Sequence, residues 1–180
     1  MLIPHLPPQP VPLCVIALVI VTASTDLVCR RIPNLVVLVG LVGALAVQGC
    51  LHGPSSGSVN WLTGALTGFA LLLPFYLMRG MAAGDVKLLL TIGAWVGPTL
   101  TLYIALATFI LGGLWSVVAT VRHGRFTQLL ANLQCLAGGG LRTALQAPSA
   151  APQGIESVGS LPYGVAIAAG TIGVLFATAT

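Results

Sequence analysis

The run VKLLLTIGAWVGPTLTLYIALATFILGGLWSVVATV, Val86 to Val121, is 36 residues of almost unbroken apolar sequence. A bilayer core of about 30 Å takes roughly 17–25 residues of helix. The run is therefore too long for one ordinary span and barely long enough for two. Gly97-Pro98 supplies a break, because glycine tolerates turn geometry and proline cannot continue a helical ladder. We expect one helix over about Val86–Val96 and another over Thr99–Val121. Working outward, further spans are expected at Val11–Val28, Leu35–Leu51, Trp61–Met78 and Leu161–Ala179, with a polar turn from His52 to Asn60. Charge decides between the two ways of reading the long run. With two helices there, Arg30, Arg31, Arg79, Lys87, Arg122, Arg125 and Arg142 all fall on one side of the membrane. With one helix, the last three cross to the other side. The one-sided arrangement obeys the positive-inside rule and makes that side cytoplasmic. The expected fold is all-α: a polytopic integral membrane protein of six transmembrane helices, a single domain over residues 1–180, with both termini outside.

Composition agrees. Of the 180 residues, 57% are hydrophobic and 6% charged, and the mean hydropathy is +1.02. A soluble domain carries about 25% charged residues because its surface faces water, so the partner of this surface is the lipid bilayer. The net charge of +4 does not indicate nucleic acid, since the basic residues flank apolar runs and form no stripe interleaved with aromatics. Cys14, Cys29, Cys50 and Cys135 form no CxxC pair, which leaves zinc and thioredoxin-type chemistry unsupported. No cofactor and no metal are expected. The opening MLIPHLPPQPVP lacks the basic residues of a signal peptide and reads as an irregular arm. In the cytoplasmic loop of about 122–160, Phe126, Leu129, Leu130, Leu133, Leu136 and Ala137 recur at helical spacing, as in a helix lying on the membrane surface.

Only three acids occur: Asp26, Asp85 and Glu156. An ionisable residue at a span is costly and therefore a functional candidate. The topology puts Asp26 at the cytoplasmic end of the first span and Asp85 at the cytoplasmic start of the fourth, at one depth. Two adjacent carboxylates do not readily both ionise; one keeps a proton while the other is a base. Such a pair can deprotonate a water and protonate the leaving amine of a peptide bond. The competing reading is interfacial pairing, of Asp26 with Arg30 and of Asp85 with Lys87. It is weaker for Asp85, because residues two apart do not share a helix face.

The local sequences go further. Asp26-Leu-Val-Cys-Arg-Arg-Ile-Pro-Asn34 resembles the first aspartate motif of the type IV prepilin peptidases. Gly80-Met-Ala-Ala-Gly-Asp-Val-Lys-Leu88 resembles their second, the GxGD motif, and Leu161-Pro-Tyr-Gly164 is similar to the segment opening their last span. The three blocks stand in family order. The resemblance implies an aspartic endopeptidase of the bacterial inner membrane that removes the leader of pilin-like precursors at the cytoplasmic face. It carries over Asp26 and Asp85 as the catalytic pair, with Gly84 and Lys87 as substrate-binding or supporting residues, and prepilins as the partners. Longer members add a CxxC-bearing domain with N-methylating activity. Without CxxC, this chain resembles the short form of Flp-type tight-adherence systems, cleaving without methyl transfer. One departure stands out: the first motif glycine is Ala82, which costs stability if the position requires a positive φ.

Other patterns have plainer readings. Gly53-Pro-Ser-Ser-Gly57 matches GxSxG by letter but lacks the strand–turn–helix setting and acid partner of a hydrolase elbow. Gly64-Ala-Leu-Thr-Gly68 and Gly93-Ala-Trp-Val-Gly97 read as close helix packing within the chain. His5, His52, His123 and Glu156 read as solvated residues, and Arg30 and Arg31 as topology anchors. The alternative function is a small proton-coupled transporter or channel using Asp26 and Asp85 as relay carboxylates, which requires acids near the bilayer midplane. Topology is open to direct measurement: reporter fusions after Arg31, Arg79 and Gly140 are expected to read cytoplasmic and a fusion at Ser56 external. An external signal at Gly140 would overturn the six-span reading.

Overall fold

The computed structural model describes residues 6–29, 32–78, 81–122 and 163–179. Those residues form six helices and no strand: α1 (Val11–Cys29), α2 (Asn34–His52), α3 (Pro54–Leu77), α4 (Ala83–Val96), α5 (Pro98–Arg122) and α6 (Tyr163–Ala177). The chain divides into two compact units, Met1–Gly112 with Pro162–Thr180, and Gly113–Leu161. In the second, the described residues continue α5; all packing below belongs to the first. The expected surface helix over 126–137 lies outside the described residues.

Four helices, α1, α2, α3 and α5 over Pro98–Val118, are long and apolar enough to cross a membrane. α4 has 14 residues and α6 has 15. The long apolar run does break where expected: Gly97 takes φ 80 and ψ 173 after Val96, and Pro98 opens α5. A positive φ is cheap for glycine, and proline at the first helical position has no useful N–H to lose.

The connection between α2 and α3 is tighter than expected. In place of a polar turn from His52 to Asn60, α2 runs to His52 and α3 starts at Pro54, leaving Gly53 alone with φ 83. The same residue types that mark loops also suit a first helical turn. Pro54 occupies its start, and the Ser58 hydroxyl donates to the Pro54 carbonyl at 2.7 Å.

α4 is the centre of the bundle, with ten of its 14 residues buried, from Asp85 to Val96. It packs most extensively on α3, and also touches α1, α2 and α6. In lipid the helices gain little from hydrophobic transfer, so close van der Waals approach must hold them. Glycine permits it here. A Cβ on Gly64 would overlap the Gly93 carbonyl, one on Gly68 the Leu89 carbonyl, and one on Gly93 the Gly64 carbonyl. The two GxxxG patterns thus meet inside one chain.

Most polar groups buried in this core satisfy themselves; among the described residues the buried Trp95 indole N–H finds no partner. Thr22, Thr91, Thr101, Thr108 and Thr171 are fully buried, and each hydroxyl donates to the carbonyl four residues earlier, at 2.6–2.8 Å. Where α4 ends, its carbonyls lose their helical donors, and Gln48 takes over: its Nε2 donates to the Trp95 carbonyl at 2.6 Å. Asn60 Nδ2 in turn donates to Gln48 Oε1 at 3.2 Å.

A Val at position 64 forces α3 away from α4, so Gly64→Val is expected to lower stability by about 1–3 kcal/mol or more. Gly49, with nothing within 4 Å of its Cβ position, is the control: Gly49→Ala should be neutral or slightly stabilising. Thermal unfolding in detergent, followed by helical circular dichroism, makes the comparison. Equal midpoints for the two variants would contradict the glycine contact.

Candidate active site

The ends of α1 and α3 and the starts of α2, α4 and α6 gather at the end of the bundle opposite Gln48. Both candidate aspartates are there. Asp26 lies one turn before the end of α1 and is half-buried; Asp85 lies in the first turn of α4 and is 5% exposed. They are close enough for the charge of Asp26 to act on Asp85.

Asp26 is held by α6. The Gly164 N–H, in the first turn of that helix, donates to Asp26 Oδ2 at 3.1 Å. First-turn N–H groups have no intrahelical partner, and the helix dipole favours an anion there. Gly164 also makes room for the carboxylate. A Cβ at this position would stand 2.6 Å from Oδ2 and 3.1 Å from Cγ of Asp26.

Asp85 is placed by the start of α4. Its own N–H bonds the Ala82 carbonyl at 3.2 Å, and its carboxylate accepts from the Ala82 backbone, as the third residue of a capped helix does. Ala82 has φ −77 and ψ 150, ordinary extended geometry. The position does not require a positive φ, so alanine in place of the motif glycine carries no backbone strain.

Gly84 belongs to the first turn of α4, not to a tight turn before it. Its Cβ position is 3.4 Å from Cβ and Cδ1 of Ile32, an ordinary van der Waals distance, so Ile32 of the first motif packs over the start of the second. Lys87 is exposed and donates from Nζ to Asn34 Oδ1 at 3.0 Å. Its partner is thus the last residue of the first motif and not Asp85. Arg30, the alternative partner of Asp26, lies outside the described residues, as does Glu156. Among the described residues no three His, Cys, Asp or Glu side chains come together as metal ligands would.

Three blocks far apart in sequence therefore converge. The first meets the second through Ile32 on Gly84 and Asn34 on Lys87, and meets the third through Asp26 on Gly164. Sequence reasoning singled out both aspartates but gave no role to Asn34, Tyr163 or Gly164. The Pro-Tyr-Gly block was the available signal, since a glycine directly inside a helix start suggests close approach by another group. Chemically, the site offers two carboxylates at one end of the bundle, beside irregular backbone at residues 81–82. Such backbone occurs at membrane depth only where it is buried in protein or lines a water-filled cavity.

A model of the type IV leader peptidase family matches residues 13–117. No curated protein and no solved structure matches the chain. The Asp26–Gly164 contact can be tested without any assay of function. Gly164→Ala is expected to destabilise the protein, and to cost clearly less in an Asp26→Ala background, with a coupling of about 0.5–3 kcal/mol. Additive losses in the thermal midpoints of the four proteins would mean that Gly164 does not serve the carboxylate.

Proposed function

Because the chain belongs to the type IV leader peptidase family, we propose that it is an aspartic endopeptidase that cleaves prepilin leaders with Asp26 and Asp85 as its catalytic pair. The observation that supports this reading most is the placement of the two carboxylates at the same end of the bundle, one buried at the start of α4 and one seated on the start of α6. A water between them loses a proton to the ionised aspartate as its oxygen attacks the scissile carbonyl carbon, forming the C–O bond. The protonated aspartate then gives its proton to the amide nitrogen as the C–N bond breaks. Both carboxyl groups are needed, and neither replaces the other within one turnover.

The finer assignment is also a proposal. The link between α1 and α2 spans only residues 30–33, and the chain has no CxxC, so a zinc-binding methyltransferase insertion has no place there. We therefore assign the short, Flp-type form, which cleaves without N-methylation and needs no cofactor. We further assign six spans in the bacterial inner membrane, with α4 and α6 as short spans sheathed by their neighbours. The site and the 122–160 loop are cytoplasmic and both termini external, as the one-sided basic residues require. Gly84 and Lys87 support the site by holding the first motif against the second.

A proton relay through the membrane has less support. It needs acids spaced along the middle of the bundle, whereas both aspartates lie within about one turn of a helix end.

Co-expression with Flp-type prepilins encoded in the same genome tests the reading. Asp26→Asn and Asp85→Asn should each abolish leader removal while the protein still inserts, and Ala82→Gly should leave it unchanged. Normal processing by either asparagine variant would refute the catalytic pair.

A further inference from the structure

Hydrolysis of a peptide bond places negative charge on the carbonyl oxygen as water adds. A site made of two carboxylates is rich in acceptors, so this oxygen needs a separate donor. Near the aspartates, the Ser24 and Thr25 hydroxyls are spent on carbonyls of their own helix, at 2.7 and 2.9 Å. The Lys87 ammonium is engaged with Asn34.

Tyr163 stands beside the Asp26 contact. It opens α6 directly before Gly164, whose N–H holds Asp26. Asp85 is close enough for its charge to be felt at the phenol. The ring is half-buried and its hydroxyl end packs on α5 at Gly112: its Cε1, Cζ and hydroxyl oxygen are 3.1, 3.2 and 3.3 Å from the Cβ position of that glycine. A side chain at residue 112 would push the phenol head aside by at least a few tenths of an ångström. A glycine thus sets where the hydroxyl stands, as Gly164 sets where the Asp26 carboxylate stands.

We propose that Tyr163 is a further catalytic residue, its hydroxyl donating a hydrogen bond to the carbonyl oxygen of the scissile peptide, with Gly112 as the positioning residue that fixes the phenol. The inference rests on the peptidase reading above. The phenol keeps its proton throughout: it stabilises the developing alkoxide, while proton transfer stays with the two aspartates.

The test uses the full chain in detergent and a prepilin that the wild type cleaves in co-expression. Tyr163→Phe keeps the ring and its packing and removes only the donor. It should lower kcat by about 10²-fold, the typical loss for one oxyanion donor, with KM within about twofold. Gly112→Ala should lower kcat in the wild type and have no further effect in the Tyr163→Phe protein, because the hydroxyl it displaces is already gone. A Tyr163→Phe enzyme with wild-type kcat overturns the proposal, as does a Gly112→Ala loss of equal size in both backgrounds, which would mark a packing effect. Asp26→Asn and Asp85→Asn separate the two levels: cleavage by either defeats the peptidase reading itself, whereas their inactivity beside an active Tyr163→Phe defeats only the role of the tyrosine.

Discussion

The contact between α3 and α4, backbone against backbone at Gly64, Gly68 and Gly93, is the interaction on which the rest of the bundle depends. Lipid tails are as apolar as leucine, so a membrane protein cannot hold its helices by excluding water. Bare backbone lets α3 approach α4 closely, and α4 is then surrounded by α1, α2, α3 and α6. A helix enclosed by protein need not match the thickness of the hydrocarbon. That freedom allows α4 to stop at 14 residues, and a short central helix brings Asp85 to a place where irregular backbone lies beside it.

The site at that end is assembled by small and polar contacts between chain segments, not by a rigid loop. Gly164 admits Asp26, Ile32 packs over Gly84, and Asn34 accepts from Lys87. The first of these joins the third sequence block to the first, and the other two join the second block to the first, so the first block is held by both of the others. The rest of the core makes few polar demands between helices, because its threonines bond to their own backbone. Polar contacts between helices are found at the two ends of the bundle and where Trp61 Nε1 donates to the Leu41 carbonyl at 3.0 Å.

How legible this was in the sequence follows from the range of each interaction. Gly97-Pro98 could be read because both residues act on their own backbone, and the structure breaks there. The aspartates could be read because an acid among apolar spans is costly wherever it sits. Pro54-Ser-Ser was harder, since the residues that make a loop also make a good first turn, and the neighbouring helix decides between them. The concern over Ala82 came from treating a motif glycine as a statement about φ, whereas the position is plainly extended. Gly164 and its carboxylate are 138 residues apart, and Lys87 and Asn34 are 53 apart. No local pattern announces partners at such separations; only the folded bundle brings them together.

The clamp at the other end of α4 has a consequence for the site. Gln48 grips the Trp95 carbonyl, and Asn60 steadies Gln48. Trp95 and Asp85 are ten residues apart on one helix, which at 1.5 Å per residue is about 15 Å. α4 therefore works as a ruler whose zero mark is on the far side of the bundle. The depth of the Asp85 carboxylate is measured from that fixed point, and each residue added or removed between them would shift it by about 1.5 Å and turn it by about 100°. An amide pair at one end of the bundle thus keeps the register of the other.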